Sequence, residues 1–195
     1  FEAVRIQDNF IHHNQHVAKD GYGVAVGHGA YALIERNVFD YNRHAISGED
    51  GSDGSGYQAY RNLVLEHGGL HRWIPFPGFW IHTHQFDMHG QDGCFPTWEY
   101  NCGTAGEYVD VQYNSFFYTE GNAIKLRGIP TLDFNVTANV FAHASLFTTT
   151  TPSPFPNQPP QVILGAVEQT ESGLDAWDNL VGVNGMNELG TCDFD

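Results

Sequence analysis

Four side chains in this sequence have the types and spacing for acid–base chemistry: His82, His84, Lys125 and Arg127. The two histidines alternate in FWIHTHQ (79–85), and the two cations alternate in NAIKLRG (122–128). Residues two apart on an extended strand share a face. If Ile81 and Ile124 are equivalent inward positions on neighbouring strands, His82 stacks on Lys125 and His84 on Arg127. Such a positive cluster attracts a carboxylate or sulfate. In that arrangement Arg127 grips a carboxylate bidentately. Lys125 or His82 removes the proton beside it, and His84 donates or relays one. Neighbouring cations lower the pKa of Lys125, which favours its role as base. This is the chemistry of β-elimination or C5 epimerisation of a uronic acid.

The same stretch carries a metal-ligand alternative. His82 and His84, with Asp87 and His89 close behind, form a set usable by Zn2+ or Cu2+. Lys125 and Arg127 would repel a cation placed between them, so the ion would have to turn toward Asp87 and His89. A third reading is a solvated polar face in which Asp87 or Glu107 neutralises the cations. His12, His13 and His16 read as a polar turn. The acidic Gly-rich segment GEDGSDGSG, with Asp50 and Asp53, has oxygen ligands for Ca2+ but lacks EF-hand spacing.

The elements that must position these groups come from an internal repeat. VRIQDNFIHHN, ALIERNVFDYN, YQAYRNLVLEH, VDVQYNSFFYT and FNVTANVFAHA each alternate apolar and polar residues, pass an Asn, and resume a short apolar strand. The asparagines are Asn9, Asn37, Asn62, Asn114 and Asn139, with Asn179 a displaced sixth. Most intervals are close to 25 residues, and the interval of 52 from Asn62 to Asn114 reads as two periods of 26. A period near 25 fits one coil of a β-solenoid, in which stacking buries a continuous core. The repeated Asn is expected to take the left-handed bend between strands and to bond along the stack. A further strand follows in each coil: YGVAVGHG, HAISGEDG, FWIHTHQ and NAIKLRG. These align on Val24, Ile46, Ile81 and Ile124.

This pattern resembles the repeats of the right-handed parallel β-helix superfamily. That superfamily includes pectate-lyase-like enzymes, alginate epimerases and NosD-like proteins. The resemblance covers roughly residues 1–145 and, less clearly, 161–185. It implies an all-β, right-handed parallel β-helix domain over 1–190, of about five to six coils, with long insertions at roughly 66–106 and 147–160. It also implies a secreted protein that binds or acts on polysaccharide, lyase- or epimerase-like on uronate polymers. Phe86-Asp87-Met88-His89 is faintly similar to an epimerase signature. Because one scaffold hosts many activities, two alternatives stand beside this. One is a non-catalytic structural or adhesive segment, self-associating through its coil ends. The other is a histidine-based metal-binding module. The closing Cys-Asp-Phe-Asp, within 191–195, resembles the start of a calcium-binding repeat of the FG-GAP/VCBS type.

Bulk properties narrow the classes further. Of 195 residues, 8 are Lys or Arg and 23 are Asp or Glu, a net charge of −15. That balance disfavours nucleic acid as a partner, since phosphate binding rests on clustered cations. No apolar run approaches the length of a membrane helix. Cys94 and Cys102 flank an aromatic insertion, CFPTWEYNC, and are expected to form a loop disulfide. Cys192 has no partner nearby in sequence. The chain opens at Phe1 and is expected to be part of a longer protein.

Overall fold

Short alternating strands bend at regular corners and stack, coil on coil. In a computed structural model, the described residues are 3–16, 21–48, 54–72, 80–90, 103–152, 160–169, 175–177 and 179–181. Three parallel sheets run the length of the molecule. The first contains Val4–Gln7, Tyr31–Glu35, Gly56–Tyr60, Tyr108–Gln112, Asp133–Thr137 and Asp175–Trp177. The second contains Phe10–His12, Val38–Asp40, Leu63–Val64, Ser115–Phe116, Val140–Phe141 and Leu180–Val181. The third contains Tyr22–Val26, His44–Gly48, Phe86–Met88, Ile124–Leu126 and Val167–Gln169. Each coil visits the three sheets in turn. The architecture is a parallel β-helix, with five full coils and the first two strands of a sixth among the described residues.

The core is three columns of inward side chains. Ile6, Ile34, Ala59, Val111 and Val136 stack in register on the first sheet. Phe39, Val64, Phe116 and Phe141 do so on the second. Val24, Ile46, Phe86, Ile124 and Val167 do so on the third. All but Ile6 are buried. Burial of one such large apolar side chain stabilises by about 1.5–3 kcal/mol, and a coil gains it only by stacking on a neighbour. The first coil is the exception. Val4, which pairs with buried Ala32, is itself 62% exposed.

The repeated asparagines form a continuous ladder at the first corner. The backbone N–H and side-chain amide of Asn37 both donate to Oδ1 of Asn62, at 3.0 and 3.1 Å. Asn62 repeats this toward Asn114, Asn114 toward Asn139, and Asn139 toward Asn179. The left-handed bend falls one residue earlier than expected. Asp8, Arg36, Arg61, Tyr113 and Ala138 have φ between 53 and 61°. The bend needs only a turned backbone, whereas the next position needs a side chain that donates and accepts at once. Asn supplies that, so the two tasks fall on adjacent residues. Asn14 and Asn42 repeat the arrangement at the second corner, after His13 and Tyr41 with φ of 58 and 53°.

The 52-residue interval is one coil, not two. Asn62 and Asn114 are direct neighbours in the ladder. The extra length holds an antiparallel hairpin of Leu70–Arg72 and Trp80–His82, and residues 91–102 outside the described set. The insertion near 147–160 likewise opens and closes with an antiparallel pair, Thr149–Thr151 and Gln161–Ile163. Cys94, Cys102, Cys192, Asp50, Asp53 and the 191–195 segment lie outside the described residues. Among the described residues no helix is long and apolar enough to cross a membrane.

Candidate functional site

The corrected coil length moves the site. In the third sheet, Phe86, not Ile81, pairs with Ile46 on one side and Ile124 on the other. Asp87, not His82, is therefore the neighbour of Lys125. The expected stacking of His82 on Lys125 does not form. His82 lies on the added hairpin, paired with Leu70, and its Nε2 is 3.9 Å from Glu120. Lys125 bonds along its own rung to Glu168, at 2.9 Å.

His84 and Arg127 do come together, around a carboxylate. Asp87 is fully buried, and its Oδ2 lies 3.0 Å from His84 Nε2, 2.5 Å from His89 Nε2 and 3.2 Å from an Arg127 Nη2. The same Arg127 nitrogen is 3.0 Å from His84 Nε2. His44, one coil earlier, completes the group. Its ring stacks on His84 with centroids 4.3 Å apart, and its Nδ1 donates to the His84 carbonyl at 2.6 Å. From the sequence His44 falls, with His28, His67 and His71, in the neighbouring coils or connections, outside the expected ligand set. With Phe86 as the aligned residue, His44 and His84 both fall two positions before the inward side chain, so the correct register predicts that they meet.

Burial sets the charge states. It lowers His44 well below the usual imidazole range, and the neighbouring His84 adds to this. It lowers His84 to about 4, against the opposing pull of Asp87. Burial alone would raise the Asp87 carboxyl, but His84 and His89 beside it hold it well below its ordinary value. At neutral pH the group is thus two uncharged buried imidazoles around an anion that Arg127 balances. His44, His84 and Asp87 each offer a ligand atom within 4.8 Å of the others, a group able to hold a metal ion.

An acid sensitivity follows. His44 and His84 have lower pKa values folded than unfolded, so the unfolded chain takes up protons first as pH falls. The contribution of His84 is complete above about pH 6.5 and is lost as pH drops through about 4, and that of His44 is lost in the same direction. Denaturant midpoints of metal-free protein should fall steadily from pH 7 to pH 4.5. A flat profile across that window would show that the imidazoles are not buried neutral.

A second feature is open to solvent. A cleft of about 660 Å³ runs beside the hairpin, lined in part by Tyr41, Glu66, His67, His82, Phe117 and Glu120. Tyr41 is 39% and Phe117 55% exposed. Tyr41 stacks flat on His67 at 4.6 Å. Among the described residues no Lys or Arg lines it. No protein-family model, curated protein or solved structure matches this chain.

Proposed function

We propose that this β-helix is a saccharide-binding module of a secreted or cell-surface protein, and that its ligand lies in the cleft beside the hairpin. The observation that carries this is the lining itself. Exposed aromatic rings from the second and fourth coils stand beside carboxylates and imidazoles in a groove open to solvent. Aromatic faces pack on the apolar faces of sugar rings, and Glu66, Glu120, His67 and His82 can hydrogen-bond hydroxyl groups. The resemblance to polysaccharide-active β-helices supports the same class.

The cleft chemistry argues for a neutral or amino sugar rather than a uronate. Glu66 and Glu120, with no lining cation among the described residues, repel a carboxylate. The cations first assigned to uronate chemistry are engaged elsewhere, Lys125 with Glu168 and Arg127 with Asp87. A substrate carboxylate would have to displace both partners. On this reading alginate and pectate give no unsaturated, near-ultraviolet-absorbing product.

Binding should be measured by calorimetry against oligosaccharides of xylan, β-glucan and chitosan, with alginate and pectate as acidic comparators. Wild type should bind a neutral or amino-sugar oligomer, and Phe117→Ala should weaken that binding about tenfold, equivalent to about 1.4 kcal/mol. The proposal fails if only the acidic polymers bind, or if Phe117→Ala and Glu120→Gln leave the affinity unchanged.

A further inference from the structure

The buried group at the third sheet presents an arrangement that hydrogen bonding alone does not complete. The Nδ1 of His44 faces a carbonyl oxygen, which can only accept, so Nδ1 carries the proton. Its Nε2 therefore holds a lone pair, and that atom is buried with no partner. Asp87 Oδ1 is likewise buried and without a partner, although Oδ2 of the same carboxylate is crowded by three nitrogens. An unpaired buried acceptor costs about 1–3 kcal/mol. Both residues belong, with His84, to a group in which each side chain offers one ligand atom within 4.8 Å of the others.

We propose that His44, His84 and Asp87 hold a divalent transition-metal ion of the zinc and copper class. The ion satisfies the lone pair on His44 Nε2 and the free oxygen of Asp87 together. The donor set of two imidazoles and one carboxylate suits Zn2+ or Cu2+, whereas Ca2+ and Mg2+ take oxygen ligands. Bonds of about 2.0–2.2 Å in a tetrahedral site place ligand atoms roughly 3.4 Å apart, so a small closure of the observed group suffices. The Nδ1–H bond from His44 to a backbone carbonyl is the outer contact that fixes the tautomer and ring plane of a ligating histidine. His44 belongs to the second coil and His84 and Asp87 to the third, so the ion pins two adjacent coils.

Arg127 gives the proposal a sign that can be tested. Its guanidinium lies 3.0 Å from His84 Nε2 and 3.2 Å from Asp87 Oδ2, where it competes with an arriving cation. Lys125 does not, since Glu168 holds it away. Removing the Arg127 charge should tighten binding, while removing a ligand should weaken it.

The experiment uses untagged protein, stripped with chelator, in a His12→Ala/His13→Ala background. That background removes the exposed pair whose Nδ1 atoms lie 2.7 Å apart. Zn2+ and Cu2+ are titrated by calorimetry, and Co2+ by visible absorption. The expected results are one ion per chain and a rise of several degrees in thermal midpoint with excess Zn2+. His44→Gln should bind at least tenfold more weakly, and Arg127→Gln at least tenfold more tightly. Electron paramagnetic resonance of the Cu2+ form should show nitrogen coupling from two imidazoles. Arg127→Gln keeps every ligand, and the Cu2+ spectrum needs no ligand variant, so an unfolded His44→Gln protein leaves the test intact. Absence of stoichiometric binding by all three ions overturns the proposal. So does binding that neither His44→Gln nor Arg127→Gln alters.

Discussion

Replacing Asn114 by Ala is expected to destabilise the fold by about 4 kcal/mol, whereas Asn9→Ala costs less than about 1 kcal/mol. Asn114 is buried and works in both directions along the ladder. Its Oδ1 accepts from the backbone N–H and the side-chain amide of Asn62, at 2.9 and 3.0 Å. Its own amide donates to the carbonyls of Ala59 and Gln112, at 2.8 and 3.0 Å. Truncation leaves the Asn62 N–H buried and unpaired, strips one partner from the Asn62 amide, and removes a donor from two carbonyls. Each buried orphan costs about 1–3 kcal/mol. Asn9 sits at the exposed end and only donates, to Asn37 and to Gln7, so water can replace what it loses. In a chain of this length 4 kcal/mol lowers the thermal midpoint by roughly 8–16 °C. Thermal denaturation of the two variants side by side measures the difference. Equal, small effects at both positions would mean that the ladder is ornamental and that apolar stacking alone holds the coils.

The gap between those two asparagines explains what the sequence made legible. The ladder and the alternation around it were readable because every coil repeats the same local demands. The bend, the Asn and the inward apolar residue recur at fixed offsets whatever else the coil carries. Those demands bring the first-sheet strands of coils one to five into register from sequence alone. Coil three was misread because it carries a hairpin whose own strand, Trp80–His82, mimics a coil strand. Ile81 is apolar, flanked by polar residues and followed by an alternating His pair, and alternation cannot separate a parallel rung from an antiparallel hairpin strand. Asn spacing was the better guide, since a ladder cannot skip a rung without orphaning buried amides.

That single slip of five residues accounts for the fate of the candidate site. It placed His82 beside Lys125, left Asp87 as a ligand or neutralising carboxylate behind the strand, and left His44 outside the ligand set. His84, Asp87 and His89 survive as neighbours because they lie on or beside the true strand, Phe86–Met88, and Arg127 because it follows the strand paired with it, Ile124–Leu126. Their meaning changes, however. A cluster expected to be positive and exposed is instead built around a buried anion, because the residue that joins the cations on the third sheet is a carboxylate.

The largest effect on this cluster is expected from Asp87 itself. In metal-free protein, Asp87→Ala should cost about 3–5 kcal/mol, the usual consequence of removing one partner from a buried ion pair. The loss is not mainly the attraction between the two charges. It is the guanidinium of Arg127 left with its side chain only 16% exposed and no anion to balance it. Asp87→Asn should be milder, since the amide oxygen still accepts from His84, His89 or Arg127, although the charge is gone. The double variant Asp87→Ala/Arg127→Met separates the contributions. With both charges removed and an apolar chain filling the space, most of the lost stability should return, because a buried pair often contributes little net stability over apolar packing. The interaction between the two substitutions, read from a double-mutant cycle by chemical denaturation, should therefore be large and of the sign that favours the pair. Additive costs would mean that Arg127 reaches solvent once released. The carboxylate would then act through its two histidines, and charge balance would not be what orders this corner of the β-helix.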